Sequence, residues 1–312
     1  MVENVVSIGL FVDERMEIKK NRFVGTEGTG KAKRICIATG IHGDELEGQY
    51  VCWELARRIR ADISRLKGIV DIYPALNPLG IDAGTRGIPM FDLDMNRIFP
   101  GSEDGAVAEH VAAKIIADME GADLCVDIHS SSPHMRELPQ VRLSQATAKQ
   151  LLPHARLLHM DLVWIHASAS TSHATLSHSL NQRGVPTLVV EMGGGMRITR
   201  SYGDQLVDGL FHLMAEQGIW GCPVPPFPDP VIATDSHVRK VRADVPGLFL
   251  PVAGHNTRLK AGEPLGKIVD ALTGEVVSTL SSPCDGLLFT LREYPVVYPG
   301  SLLARILGGE GR

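Results

Sequence analysis

Short apolar runs alternate with amphipathic segments over residues 33–217, and this alternation limits the possible folds more than any other feature of the chain. The runs have the length of strands and end in Gly, Pro or a charged residue, while the segments between them repeat apolar residues at helical spacing. Strands that alternate with helices favour a mainly parallel sheet with helices on its faces. The predicted strands cover residues 33–40, 69–75, 123–128 and 186–191, and the predicted helices cover residues 44–60, 105–119, 172–183 and 203–217.

A proline-rich segment, residues 222–230 with the sequence CPVPPFPDP, separates this part from a tail of different character. From residue 231 onward, short apolar runs are divided by Gly, Pro and Asp-Gly, and helical spacing is nearly absent. This pattern predicts short strands joined by turns. We therefore predict an α/β domain over residues 1–224 and a small all-β domain over residues 225–312, whose Gly-Pro pattern resembles barrel-sandwich domains of the biotinyl/lipoyl type.

Composition limits the compartment and the class of partner. The 312 residues carry 31 Lys and Arg against 36 Asp and Glu, a net charge of −5, so no basic surface for nucleic acid is expected. No run approaches the ~20 apolar residues of a membrane helix, and the first residues lack the pattern of a signal peptide. The five cysteines are scattered without a CxxC pair, which favours reduced core residues. We expect a cytoplasmic protein without a nucleic-acid or membrane partner.

Two histidines stand where predicted strands end. The segment GIHGDE places His42 and Glu45 three residues apart at a strand-to-helix junction, so an imidazole and a carboxylate can converge on one ion. The segment DIHS places His129 at the end of another apolar strand. Two histidines and one carboxylate are the ligand set of several zinc hydrolases, which keep one coordination position open. Together the two motifs predict a metal site, whereas either one alone would be an ordinary loop histidine.

Further candidates for catalysis and binding lie near these motifs. Glu191 closes a third apolar strand in the segment VVEMGG, where a carboxylate is costly to bury unless it is paired or functional. Close to a reactive water, it would act as general base and then as general acid. The long loop predicted over residues 76–104 carries Arg86, Asn96 and Arg97. Guanidinium groups bind carboxylates in a bidentate manner and stabilise oxyanions, so these residues are candidates for holding a substrate.

Taken together, the motifs resemble the succinylglutamate desuccinylase/aspartoacylase family of the zinc carboxypeptidase-like superfamily. The matching segments are GIHGDELEG, NPLGIDAGTR, DLDMNRIFPG, VDIHSS and VVEMGGG, in the order the family has them. The resemblance implies a zinc carboxypeptidase-like mixed sheet flanked by helices, with the first predicted domain as the catalytic one. The segments DMNRIFPG and EMGGG look more like the branch that contains the N-acetyl-diaminobutyrate deacetylases of ectoine degradation.

The resemblance also implies a role for each candidate residue. The three metal-site residues named above would bind one Zn²⁺ per chain, and Glu191 would be the catalytic glutamate. Arg86 would polarise the scissile carbonyl, while Asn96 and Arg97 would bind the carboxylate of the substrate. The implied reaction is hydrolysis of the amide between an acyl group and an amino acid, so the expected partner is a small N-acyl amino acid. A homo-oligomer is plausible for the family.

The sequence leaves several alternatives open. A zinc carboxypeptidase that trims a peptide would need the same zinc site and carboxylate clamp, and a non-catalytic ligand-binding protein would keep only the pocket. A second carboxylate-binding arginine has three candidates, Arg136, Arg142 and Arg197. Among the histidines between residues 154 and 178, His173 and His178 are candidates to face the cleft.

Overall fold

The computed structural model describes residues 1–26, 30, 32–167, 173–225 and 227–308. The strands of these residues are β1 (Val2–Gly9), β2 (Arg15–Val24), β3 (Arg34–Thr39), β4 (Ile69–Tyr73), β5 (Leu124–Ser130), β6 (Met135–Ser144), β7 (Leu162–His166), β8 (Thr187–Gly193), β9 (Val231–Thr234), β10 (Val238–Arg242), β11 (Gly247–Pro251), β12 (Arg258–Leu259), β13 (Pro264–Val269), β14 (Val276–Ser281), β15 (Gly286–Arg292), β16 (Val296–Val297) and β17 (Leu302–Leu307). The α-helices are α1 (Glu47–Ala61), α2 (Pro78–Ala83), α3 (Val107–Met119), α4 (Gln145–Ala155), α5 (Leu176–Gln182) and α6 (Arg200–Glu216).

Thirteen of the described strands form one mixed sheet, and its centre is the parallel set β4-β3-β5-β8. Strands β3, β4 and β5 are buried almost throughout, as parallel strands covered on both faces must be. Their carboxyl ends lie at one edge, where pairing of β5 with β8 sets His129 beside Glu191. Ligand sites of parallel sheets form outside these carboxyl ends.

Helices cover both faces of the sheet because successive residues of a strand point to opposite sides. Strand β3 illustrates the division. Its Ile35 and Ile37 belong to a core shared with α1, α4 and α6, while Cys36 belongs to a core shared with α3 and α5. The predicted alternation of strands and helices is confirmed for this part of the chain, and the whole has the mixed α/β architecture expected from the sequence.

The C-terminal strands extend the large sheet. Strand β15 pairs antiparallel with β6, and β17 and β10 follow outward. Strands β11, β13, β14 and β16 form a separate small sheet, which confirms the all-β character of the tail. A further apolar core joins the two parts of the chain, because Leu138 and Trp164 pack with Phe289 of β15. The predicted division into domains at residues 224 and 225 stays a prediction.

Two sequence predictions need correction near the carboxyl edge of the sheet. The segment predicted as one long loop, residues 76–104, contains α2 and a 3-10 helix at Met95–Arg97. Helix α2 forms because the side chain of Asn77 accepts a hydrogen bond from the Gly80 amide at 2.9 Å, and because a proline occupies its first position. The helix predicted from residue 44 begins only at Glu47, so Glu45 stays in the loop after β3.

Some predicted segments reach beyond the part of the chain that is described. Residue 172 of the helix predicted over 172–183, residue 226 of the proline-rich segment and residues 309–312 of the tail lie outside it. None of the helices in the described ranges is both long and apolar enough to cross a membrane.

Candidate active site

Three predicted metal ligands meet at the carboxyl edge of the sheet. His42 and Glu45 lie in the loop after β3, and His129 lies near the end of the adjacent strand β5. The Nδ1 atom of His42 is 2.8 Å from Oε1 of Glu45, and the Nδ1 atom of His129 is 2.9 Å from Oε2 of the same carboxylate. One ligand atom from each residue lies within 4.8 Å of the other two, and all three side chains are buried. The residues that the sequence grouped from separate motifs are therefore brought together.

The outer nitrogens of both histidines face carboxylates. Nε2 of His42 lies 3.0 Å from Oδ1 of Asp94, and Nε2 of His129 lies 3.2 Å from Oδ2 of Asp127. Metal-binding histidines characteristically use the far ring nitrogen in this way, which fixes the ring and its tautomer. The inward Nδ1 atoms and the Glu45 oxygens then form a converging nitrogen and oxygen donor set that suits Zn²⁺. The donor atoms and the carboxylates that face the outer ring nitrogens therefore both fit a zinc ion.

The charges of the three residues depend on one another. Burial alone would raise the pKa of Glu45, but His129 and His42 outweigh it and hold the pKa well below its ordinary value. Burial would lower the pKa of His42, whereas Asp94 and Glu45 raise it above the ordinary value. The pKa of His129 is raised further, against its burial, by Asp127 and Glu45. Since a metal binds only neutral imidazoles, its binding at this site would be coupled to proton release.

Arg86 lies at the rim of this cluster. Its Nη1 donates to Oε1 of Glu45 at 3.1 Å, and its Nε donates to Oδ2 of Asp94 at 3.3 Å. The loop of His42 is held against the loop of Arg86 by a hydrogen bond from the Gly43 amide to the Arg86 carbonyl at 3.3 Å. A β-carbon at position 43 would overlap the carbonyl of Gly80, so only glycine allows this close approach.

Asn96 and Arg97 lie on the short 3-10 helix and line the same cavity as His42 and His129. Asn96 is buried, and its side-chain oxygen accepts a hydrogen bond from the amide of Leu176 at 2.9 Å, which joins its loop to α5. Arg97 is exposed, and its Nη1 donates to the carbonyl of Asn96 at 3.0 Å. Within the described ranges, no carboxylate lies within ion-pair distance of the Arg97 guanidinium. Arg97 can therefore accept a carboxylate from outside the chain.

Glu191 lies near the end of β8 and faces the cavity. Oε1 of Glu191 accepts a hydrogen bond from Nη1 of Arg142 at 3.0 Å. Burial raises the pKa of Glu191 above its ordinary value, and Arg142 opposes this shift without cancelling it. A carboxylate with a raised pKa beside an open cavity can both accept and return a proton.

The cavity has a volume of about 1190 Å³. Its lining residues show which of the other candidates face the site. His173 and His178 line it, as does His166, which the sequence did not single out. Of the three candidate arginines, Arg142 lines the cavity. Arg136 does not, and its Nη1 lies 3.8 Å from Oε1 of Glu293.

The remaining candidate, Arg197, also pairs with Glu293 and does not line the cavity. Arg142 is already engaged by Glu191 and by Glu137. None of the three candidates therefore presents an unpaired guanidinium for a second substrate carboxylate. Asp94 is a residue that sequence reasoning missed. Its signal was an acid two residues before Asn96, in a segment where the polar Asn96 and the charged Arg97 follow closely.

Comparison with known proteins identifies the family. The model of the succinylglutamate desuccinylase/aspartoacylase catalytic domain matches residues 31–217. The chain belongs to this family. This family member is 34% identical over 113 residues to the N-alpha-acetyl-L-2,4-diaminobutyric acid deacetylase of Halomonas elongata, an alignment that covers 35% of the chain. The chain thus matches only 32% of the length of that curated relative.

Solved structures of the family share the fold over almost the whole chain. The product-bound ectoine utilization protein EutE (DoeB) from Ruegeria pomeroyi aligns with a TM-score of 0.82 and 22% identity, covering 99% of this family member and 95% of that chain. A succinylglutamate desuccinylase from Silicibacter sp. TM1040 aligns with a TM-score of 0.84 and 20% identity over the same shares of the two chains. The family resemblance seen in the sequence is confirmed, and the names of the Halomonas and Ruegeria proteins match the predicted branch.

Proposed function

We propose that this protein is a zinc-dependent amidohydrolase that removes the acyl group from a small N-acyl amino acid. One observation carries the proposal. His42, Glu45 and His129 converge in the same cavity that holds an exposed Arg97 and a partly buried Glu191. Membership of the family and the match to a deacetylase support the same reaction.

His42, Glu45 and His129 would hold one Zn²⁺ through their inward donor atoms. When bound, the ion supplies Lewis-acid polarisation of the amide carbonyl and a lowered pKa of a water in the site. Asp94 and Asp127 keep the two imidazoles oriented, since Oδ1 of Asp94 accepts from Nε2 of His42 and Oδ2 of Asp127 lies 3.2 Å from Nε2 of His129.

Glu191 is the general base and then the general acid in this proposal. Its carboxylate takes a proton from the attacking water and returns that proton to the nitrogen of the leaving amino acid. The raised pKa supports this double role, because a carboxyl group with an ordinary pKa would return the proton less readily. Arg142 holds Oε1 of Glu191, which leaves the other oxygen for the water.

The two arginines of the loop after α2 bind the substrate at its two polar ends. Arg97 binds the carboxylate of the amino acid, supported by the neighbouring Asn96, so that the amide is aligned for attack. Arg86 stands beside Glu45, where it can donate to negative charge that develops on the carbonyl oxygen.

The pairing of the other cavity arginines favours a substrate with one carboxylate. Arg86, Arg142 and Arg305 each contact a carboxylate of the protein. The guanidinium of Arg292 donates to three backbone carbonyls, at distances of 2.9, 3.3 and 3.0 Å. Among the described cavity residues, Arg97 alone of the arginines remains for a substrate anion. We therefore expect acylated monocarboxylic amino acids to be preferred over aspartate or glutamate derivatives.

The test is metal analysis combined with a substrate panel. Protein purified without added metal should contain about one zinc per chain, as a single catalytic site requires. The panel should include N-acetyl, N-formyl and N-succinyl amino acids with neutral, basic and acidic side chains, together with short peptides. Cleavage of an N-acyl amino acid that is lost in Glu191→Gln supports the proposal. Cleavage of peptides alone would support a carboxypeptidase, and zinc binding without any cleavage would support a binding protein.

A further inference from the structure

We propose that Arg305 of the C-terminal strand β17 is a positioning residue for Glu191 and acts through Glu137 and Arg142. The inference rests on the proposed role of Glu191 as general base. It assigns the C-terminal part of the chain a function in the reaction, in addition to its structural role in the sheet.

The backbone places the first members of this chain of contacts in one row. Glu137 of β6 is the register partner of Thr290 on β15, and Thr290 is the register partner of Arg305 on β17. The side chain of Glu137 is only 2% exposed. Arg305 forms an ion pair with its Oε1, and the hydroxyl of Thr290 donates to the same oxygen at 3.4 Å. The C-terminal strands thus supply a cation and a hydroxyl to a buried carboxylate of the central sheet.

Arg142 connects this carboxylate to the proposed base. Its Nη2 donates to Oε2 of Glu137 at 2.6 Å, and its Nη1 donates to Oε1 of Glu191 at 3.0 Å. One guanidinium is therefore shared between the buried carboxylate of Glu137 and the partly exposed carboxylate of Glu191. The shorter distance is to Glu137, so the hold on Glu191 depends on how fully Glu137 is satisfied by other groups.

The indole ring of Trp164 contacts the guanidinium groups of both Arg142 and Arg305. The guanidinium carbons of Arg142 and Arg305 lie 5.7 and 5.5 Å from the centre of its ring. The indole is itself held, because its Nε1 donates to Asp235 at 3.0 Å and Phe289 packs edge-on against it at 5.7 Å. Neither guanidinium can move far while it keeps this stacking.

Removal of Arg305 would change how Arg142 divides its hydrogen bonds between Glu137 and Glu191. Glu137 would lose its second cation, and a buried carboxylate with one remaining cation would draw Arg142 into a two-point contact. Glu191 would then lose the donor that holds its Oε1. A less well-held base is the expected consequence.

The decisive experiment compares kcat and KM for variants of the zinc-loaded full-length protein. Arg305→Met should lower kcat by roughly tenfold with KM nearly unchanged, since it loosens the base and leaves the substrate clamp intact. Arg305→Lys keeps the charge and should restore most of the wild-type kcat. Arg239→Met, which replaces an exposed arginine on the neighbouring strand β10, is the matched control and should leave both constants unchanged.

A double variant separates positioning from simple damage. In Glu137→Gln/Arg305→Met the competing carboxylate is removed as well, so Arg142 has Glu191 as its remaining carboxylate. This protein should recover more of the wild-type kcat than Arg305→Met alone, even though it carries one more substitution. Zinc content and thermal midpoint should be measured on each variant, and only folded, zinc-loaded samples are compared. The comparison of the double variant with Arg305→Met then decides between positioning and damage.

Two outcomes would overturn the inference, and they differ from failure of the proposed function. An Arg305→Met kcat within twofold of wild type, or a double variant no better than the single one, would overturn the positioning role while Glu191→Gln remained inactive. Full activity in Glu191→Gln would instead remove the proposed base, and the positioning role with it.

Discussion

Glu191 is the residue on which the proposed chemistry depends most directly. Glu191→Gln keeps the size and hydrogen-bonding capacity of the side chain and removes only its ability to take a proton. We expect kcat to fall by roughly 10²–10⁴-fold, the usual contribution of a general base, with zinc content and KM nearly unchanged. Steady-state kinetics and elemental analysis on the same sample check this, and a loss of zinc would mean that the residue belongs to the metal site instead.

The raised pKa of Glu191 also predicts a pH dependence. The base must be ionised to act, and burial raises its pKa above the ordinary value for glutamate. Activity should therefore decline as pH falls through a value above that of an ordinary glutamate, and should be fully present above it. A pH profile of kcat/KM measured on the zinc-loaded protein gives this limb. Zinc content is measured at each pH, and a fall in activity that follows loss of zinc would assign the limb to the metal site instead.

Arg97 makes a separate prediction because it acts in binding. Arg97→Ala should lower kcat/KM for an N-acyl amino acid by roughly 10–100-fold, mainly through KM, since a charged hydrogen bond contributes about 1.5–3 kcal/mol. The matching substrate in which the carboxylate is replaced by an amide serves as control. Wild type and variant should cleave that amide at similar rates, and an equal loss on both substrates would contradict the clamp.

Asp94 and Asp127, which contact the outer nitrogens of the two histidines, should affect zinc affinity more than the reaction itself. Asp94→Asn and Asp127→Asn should each weaken zinc binding by roughly 10–100-fold, because they orient the two ligand rings. Asp92→Asn is the control, since it lies exposed in the same loop as Asp94 and asparagine tolerates its positive φ of 47°. Competition with a chelator measures the affinities, and equal affinity in all three variants would show that the outer carboxylates are dispensable.

At the scale of elements, the contact between α6 and the turn after α4 carries a pH-sensitive pair. His159 is buried, its Nε2 lies 2.8 Å from Nδ1 of His212, and Phe227 stacks on its ring. Burial, assisted by His212, lowers the pKa of His159 to about 4. Because the unfolded chain takes up the proton near the ordinary pKa, stability should fall as pH drops from that value towards 4.

The variant His159→Asn isolates this effect, since asparagine accepts the left-handed backbone at this position, with φ of 57°. We expect the drop in thermal midpoint between pH 7 and pH 5 to be smaller in this variant than in the wild type. His110→Asn in α3 controls for the general loss of a histidine. Parallel pH dependences in all three proteins would contradict the assignment to His159.

Elements whose signal is local were predictable from the sequence. Strands β3, β5 and β8 are largely buried and appear as continuous apolar runs, and candidate site residues lie at or just after their carboxyl ends. Strand β6 escaped prediction because Glu137 and Arg142 face the cavity, Gln140 is a buried polar residue and Pro139 interrupts the run. Its charges are neutralised by residues as far away in sequence as Arg305, which no local pattern reveals.

The same distinction holds for the site. His42 and Glu45 belong to one short motif, so their convergence could be expected from spacing. The contacts of Asp94 with His42 and of Arg142 with Glu191 join residues 52 and 49 positions apart. These pairs depend on tertiary packing, so one sequence without its fold cannot predict them.

For the whole molecule, the shared sheet predicts how the chain unfolds. Strand β15 pairs with β6, and Trp164 packs against Phe289 in a core that joins the two parts. We expect one cooperative transition in urea, with coincident curves from tryptophan fluorescence and far-UV circular dichroism. Two separate transitions would show that the C-terminal region folds independently, as the division into domains at residue 224 predicts.

The metal ligands and the walls of the cavity come from different places in the fold. The proposed ligands lie on β5 and in the loop after β3, whereas walls away from them come from α5 and the start of α4. Changes in these walls can therefore alter which substrate fits without moving the proposed reacting groups. This separation makes the protein a practical starting point for directed evolution, with libraries confined to wall positions such as Gln145, Ser177 and Asn181.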